Sequence, residues 1–257
     1  MNPRAVIAFL VAAAACASAA HAAELKILSA GAFKPVLLAL KPGFEQQTGH
    51  TLKIENDTAG ALQKRVLAGE AFDLLFSSPA SMQPLQAAGK LASEQPTPVA
   101  RVAIGVAVPR GAPLPDIGTV EAFRQLLLSA RHVAYIDPAS GGSSGIYLDQ
   151  LFQRLAVAPQ VRAKAVLVNG GLVAAKLVDG SADVAIHQIS EILAVPEAVL
   201  VGPLPAEIQN YTVYAAALPP AAAASAAHSE AVRALLAALQ SPGTDAILAA
   251  KGMERAP

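Results

Sequence analysis

The chain has 257 residues, room for one large domain or two medium ones, and its 19 basic and 19 acidic side chains leave zero formal charge. Without a basic excess there is no electrostatic case for nucleic acid, and 4% aromatics with no Trp argue against a sugar-binding or base-stacking surface. A 54% hydrophobic content with 15% charged residues predicts a compact fold rather than a disordered chain.

Residues 1–22 read as a secretory leader. Arg4 precedes an apolar run, Ala5–Ala15, and small residues follow to Ala20-His21-Ala22, which predicts cleavage after Ala22 or Ala23. The run falls short of the roughly 20 apolar residues of a membrane span, and none as apolar recurs. Cys16 is the only cysteine and would leave with the leader. Ala13 stands where a lipoprotein leader has a Leu-like residue. The mature protein is expected to be periplasmic and soluble, without thiol chemistry.

Beyond the leader, short apolar runs alternate with amphipathic stretches. "ELKILSA" predicts a strand and Phe33–Gln47 a helix, with Pro35 in its first turn where proline is tolerated. "TLKIEN" and "AFDLLFSS" are further strands, separated by the helix of "AGALQKRVLAG" and followed by the short helix of "PASMQPLQAAG". "VARVAIGVAVP" is long for a strand and suits a crossing between lobes. Then come a helix over Thr119–Ser129, strand "HVAYID", a helix over Gly145–Leu155, strand "KAVLVN", a helix over Gly171–Val178 and strand "ADVAIHQ". Strands near "AVLVG" and "YTVYAAAL", a low-complexity connector "ALPPAAAASAAHS" and two helices complete the chain. The alternation predicts an α/β fold with parallel sheets covered on both faces.

Ligands of open α/β sheets sit beyond the carboxyl ends of strands, where helix N-termini aim backbone N–H groups at an anion. Four strand-to-helix junctions here are built of small residues: "SAGAF", "DTAGAL", "GGSSGIY" and "VNGGL". Two fall in each half, which suggests two lobes offering helix N-termini to one anion. The binding candidates are therefore Gly31, Ala32, Thr58, Ala59, Gly60, Ser143, Ser144, Asn169 and Gly170. Lys34 and Arg65 are the nearest cations, although both also suit solvated helix faces, as Lys64 does. His187 ends "ADVAIH", where a histidine is either a satisfied strand-end residue or a group that carries charge or a proton near neutral pH. No two histidines have metal-ligand spacing, so neither metal nor cofactor is expected.

"ELKILSAGAFKPVLLALKPGFEQQTGHTLKI", "TAGALQKRVLAGEAFDLLFSS", "DPASGGSSGIYLDQLFQRLA" and "KLVDGSADVAI" together resemble the periplasmic molybdate-binding protein family, over essentially the whole mature chain. The resemblance implies the two-lobed type II periplasmic binding protein fold with a ligand cleft between lobes. The first lobe would comprise residues 23–100, the second 101–203, with residues 204–257 returning to the first. It also implies that the Ser144 N–H binds an oxyanion. The family's two first-lobe serines fall on Ala32 and Ala59, and its second-lobe tyrosine on His187, so molybdate should bind poorly.

Two functions follow from the resemblance. The first is a monomeric receptor that carries a small anion, such as a di- or tricarboxylate, to an ABC permease. The second is a periplasmic aconitate isomerase, since such isomerases resemble the same family. It would use His187 as base, Lys34 or Arg65 on carboxylates, and Thr58 and Ser143 as donors.

Overall fold

The computed structural model describes residues 22–92, 95–220 and 226–257. The expected leader lies, all but its last residue, outside them, as does part of the low-complexity connector.

The chain opens with β1 (Glu24–Ala30), α1 (Lys34–Thr48), β2 (Thr51–Asp57), α2 (Ala59–Leu67), β3 (Leu74–Ser77) and α3 (Pro79–Ala87). A 3-10 turn, Gly31–Phe33, separates β1 from α1. β1 alternates exposed and buried positions at its start and is wholly buried over its last four residues, so its carboxyl end lies inside the molecule. Thr58 and Ser78 cap α2 and α3, accepting the N–H groups of Ala61 and Ser81, which satisfies donors that a helix start leaves unpaired. Gly49 closes α1 in the left-handed conformation, at φ 73°.

β4 (Thr97–Pro109) is the long strand, and both sheets share it. Its first part pairs with β9 (Tyr211–Ala217) and its second with β7 (Val184–Gln188) and β8 (Ala198–Pro203). Between these come α4 (Val120–Ser129), β5 (Val133–Ile136), α5 (Ser143–Arg154), α6 (Ala158–Arg162), β6 (Ala165–Val168), α7 (Ala175–Val178) and α8 (Ile189–Ile192). The chain ends with α9 (Ala226–Gln240), α10 (Pro242–Ala250) and β10 (Met253–Arg255), the last on β4.

The strand order is β2-β1-β3-β9-β4-β7-β5-β6, curled into two lobes. β1–β3 run parallel, and so do β5–β7. The expectation of purely parallel sheets is corrected here, because β4, β8, β9 and β10 pair antiparallel. Strands that carry the chain between lobes must run back against their neighbours.

Each lobe has its own core. Phe33, Phe76 and Leu28 belong to the first, and Phe123, Tyr135 and Phe152 to the second. Two expected helices start elsewhere. α5 begins at Ser143, two residues early, and no side chain caps it. The helix expected from Gly171 begins only at Ala175, after a turn.

Candidate functional site

The carboxyl ends of β1, β2, β5 and β7 converge on a cavity between the lobes, lined by Gly31, Ala32, Thr58, Ala59, Ser143 and Ser144, and by His187 with Gln188, Glu191 and Tyr214. It leaves only about 30 Å³ for water-sized occupants, space for one or two solvent molecules. The lobes are therefore closed. Thr58 Oγ1 donates to the Ser140 carbonyl across the cleft at 2.6 Å, and the Gly60 N–H to the Gly141 carbonyl at 3.0 Å.

Local sequence explains these positions. α5 lies so close to β5 that a Cβ on Gly145 would overlap the Ile136 carbonyl oxygen, which brings the uncapped first turn of α5 to the cavity. Phe33 stacks on Phe76 at 4.9 Å and lies 6.3 Å from the Tyr214 ring, so the first-lobe core fixes that phenol.

The second-lobe wall carries the ionisable chemistry. His187 is the penultimate residue of the fully buried strand β7, and its Nε2 lies 3.2 Å from Glu191 Oε2. Both side chains are almost completely shielded from solvent. Burial pushes Glu191 up to about 8, against the opposing charge of Lys34, and holds His187 well below the usual imidazole range. His187 Nδ1 has no hydrogen-bond partner among the described residues, and neither has Gln188 Oε1. The Gln188 amide donates to Thr212 Oγ1 at 2.8 Å and to Ser143 Oγ at 3.3 Å. Burial, reinforced by Glu191, raises the Tyr214 phenol above its ordinary range, so it stays a neutral donor.

Several expected site residues lie elsewhere. Arg65 is outside the cavity, because Glu70 and Glu55 hold its guanidinium at 2.6 Å each and Lys26 joins the same cluster. Its hydrogen bond pulls Glu70 down to about 2. Gly60 packs against Gly141 at the mouth and does not line the inner cavity. Asn169 and Gly170 are exposed in the turn before α7, and the next residue, Gly171, reaches the wall instead. Lys34 lines a larger outer chamber. Among the described residues no group of three or more His, Cys, Asp or Glu is placed to hold a metal ion.

Glu191, Gln188 and Tyr214 escaped the sequence reading. The spacing His187-x-x-x-Glu191 was the available signal, since one tight turn after the strand brings the two side chains together.

Residues 25–254 match the family described as bacterial extracellular solute-binding protein. The chain belongs to this family. An aconitate isomerase from a Pseudomonas species is 32% identical over 256 residues, covering 97% of this chain and 95% of the relative. The periplasmic molybdate-binding protein of Azotobacter vinelandii has the same fold, with a TM-score of 0.72 at 21% identity over 89% of this chain and 98% of that one. A sulfate-binding protein of Mycobacterium tuberculosis superposes with a TM-score of 0.71 at 17% identity, over 90% of this chain and 86% of its own. The two-lobed solute-binding fold is thus the family's.

Two expected results arise from this site. Ala32 and Ala59 put methyl groups on the cavity wall, and the acidic side chains there are Asp57 and Glu191, with no lysine or arginine beside them. Each hydroxyl absent from an oxyanion cradle forgoes about 1 kcal/mol, so molybdate should bind weakly. A submicromolar calorimetric constant would refute this.

The second result concerns stability. Glu191 keeps its proton in the fold up to about 8, against 4.5 for an ordinary glutamate. Between those values the folded state holds a proton that the unfolded chain has lost, so stability falls as pH rises. His187 is depressed, so its own contribution changes only below its ordinary value of 6.5. From pH 6.5 to 8, Glu191→Gln should therefore flatten the decline of melting temperature seen in the parent. Parallel curves would contradict the assignment.

Proposed function

We propose that this chain is an aconitate isomerase, which moves one proton along the allylic system of the tricarboxylate. The observation that carries this reading is the buried His187–Glu191 pair, with Nδ1 left unpartnered, in the wall of an anion cavity. A receptor for an inorganic oxyanion has no use for a buried acid–base pair. The likeness to the Pseudomonas isomerase over nearly the whole chain supports the same reading.

The chemistry balances within the pair. With Glu191 ionised, Nε2–H donates to its carboxylate and Nδ1 is a lone-pair acceptor. Nδ1 removes a proton from the substrate methylene, and the C–H electron pair spreads over the three allylic carbons. Glu191 stabilises the imidazolium so formed, as a carboxylate does when it orients a catalytic histidine. Nδ1–H then returns the proton to the carbon at the other end, and the double bond shifts to the other pair of carbons. Uncapped N–H groups of α5, with the Ser143 hydroxyl and the Tyr214 phenol, supply donors for the developing negative charge.

The test is to incubate the protein with trans-aconitate in deuterated water and follow proton NMR. Formation of cis-aconitate with deuterium at carbon supports the reading. Absence of both conversion and exchange eliminates it.

The small inner cavity favours a second reading, a periplasmic receptor that delivers a small anion to an ABC permease. Ligand binding without any proton exchange would select it. Either function takes place outside the cytoplasm if residues 1–22 act as an export leader.

A further inference from the structure

We infer that the outer chamber is the second half of the ligand site, a carboxylate subsite in which Lys34 and Lys251 pair with the acid groups of a di- or tricarboxylate. This rests on the isomerase reading of the inner cavity and adds what that cavity lacks. The inner wall holds two carboxyl groups, Asp57 and Glu191, and no lysine or arginine. A polycarboxylate seated there alone would have no counter-charge, and a dry site makes that costly. About 30 Å³ is also too small to contain it.

The adjoining chamber meets both needs. It has about 510 Å³ and adjoins the inner cavity across Gly31, Asn56, Gly171 and Glu191, which line both. Lys34, in the first turn of α1, and Lys251, in the turn between α10 and β10, both line it. Neither ammonium makes an ion pair or hydrogen bond with another described side chain, whereas Lys26, Lys41 and Lys176 are each held by a carboxylate. Leu38 and Leu172 lie in the same walls and would cover the carbon chain. The charge of Lys34 already reaches Glu191. A carboxylate bound between the lysines would therefore place the reacting carbons beside the His187–Glu191 pair.

The test is calorimetry with tricarballylate, a saturated tricarboxylate that cannot isomerise, alongside turnover of trans-aconitate. Lys34→Gln and Lys251→Gln should each weaken tricarballylate binding about tenfold, and the double variant further, with a shallower dependence on salt. Melting temperatures should hold, the turnover loss should fall more on KM than on kcat, and Lys→Arg should restore part of the affinity. A double variant that binds like the parent at every salt concentration removes the subsite and leaves the isomerase reading standing. A parent that neither binds tricarballylate nor turns over aconitate overturns both.

Discussion

On the isomerase reading, replacing His187 by Asn is expected to lower kcat for trans-aconitate by about 10²–10⁴-fold, the usual contribution of a positioned general base. Nδ1 has no partner to lose among the described residues, and Glu191, protonated below about 8, is left neutral when its Nε2 contact goes, so the melting temperature should fall only modestly. The pH profile supplies the sign. The base form of the pair needs Glu191 ionised, and burial holds that carboxyl up to about 8. The parent kcat/KM should therefore climb with pH and level off above about 8, since this ratio reports the unliganded protein. Residual activity in His187→Asn should lose that climb. A variant that keeps parental turnover, or a profile already flat below pH 7, would remove the pair from the chemistry.

Replacing Gly60 by Val should prevent the lobes from closing. A Cβ there would lie 2.7 Å from Gly141 Cα, backbone against backbone, where no side chain can give way. The same contact carries the Gly60–Gly141 hydrogen bond and adjoins the Thr58–Ser140 bond. With the lobes open nothing opposes the new side chain, and most residues suit a helix better than glycine, by up to about 1 kcal/mol. The variant should melt no lower than the parent while ligand affinity falls by about tenfold or more, because the closed population is lost. Small-angle scattering should show the parent compact and Gly60→Val expanded in the presence of ligand. Equal radii would show that closure does not pass through this contact.

The frame of the site was legible because each junction announces itself locally. "SAGAF", "DTAGAL" and "GGSSG" are small-residue strand-to-helix junctions, and all three reach the cavity. His187 was found the same way, as a titratable side chain ending an apolar strand. What escaped depends on distant partners. Arg65 sits in the last turn of the correct helix, yet Glu55 and Glu70 claim it from two other segments. Glu191 reads as a surface glutamate until burial is known. Tyr214 reaches the cavity only because β9 inserts between β3 and β4, a pairing that no local pattern encodes. "VNGGL" looked like the other junctions, but Asn169 and Gly170 form an exposed turn ahead of a four-residue helix, and only Gly171 and Leu172 reach the chambers.

The shared strand β4 also dictates an order of assembly. β9 lies between β3 and β4, so the first sheet stays in two pieces until almost all of the chain has been made. The other sheet needs nothing beyond β8, whose Pro203 sits opposite Gly105 of β4 and closes that segment on itself. A chain emerging from its N-terminus can therefore complete the later-encoded lobe first, while β1–β3 wait for a strand still unsynthesised. In ribosome-bound chains stalled between β8 and β9, amides of β5 and β7 should be protected from hydrogen exchange while those of β3 are not. The early strands are then the segment most exposed to wrong partners, and a chaperone would find its longest-lived apolar target there.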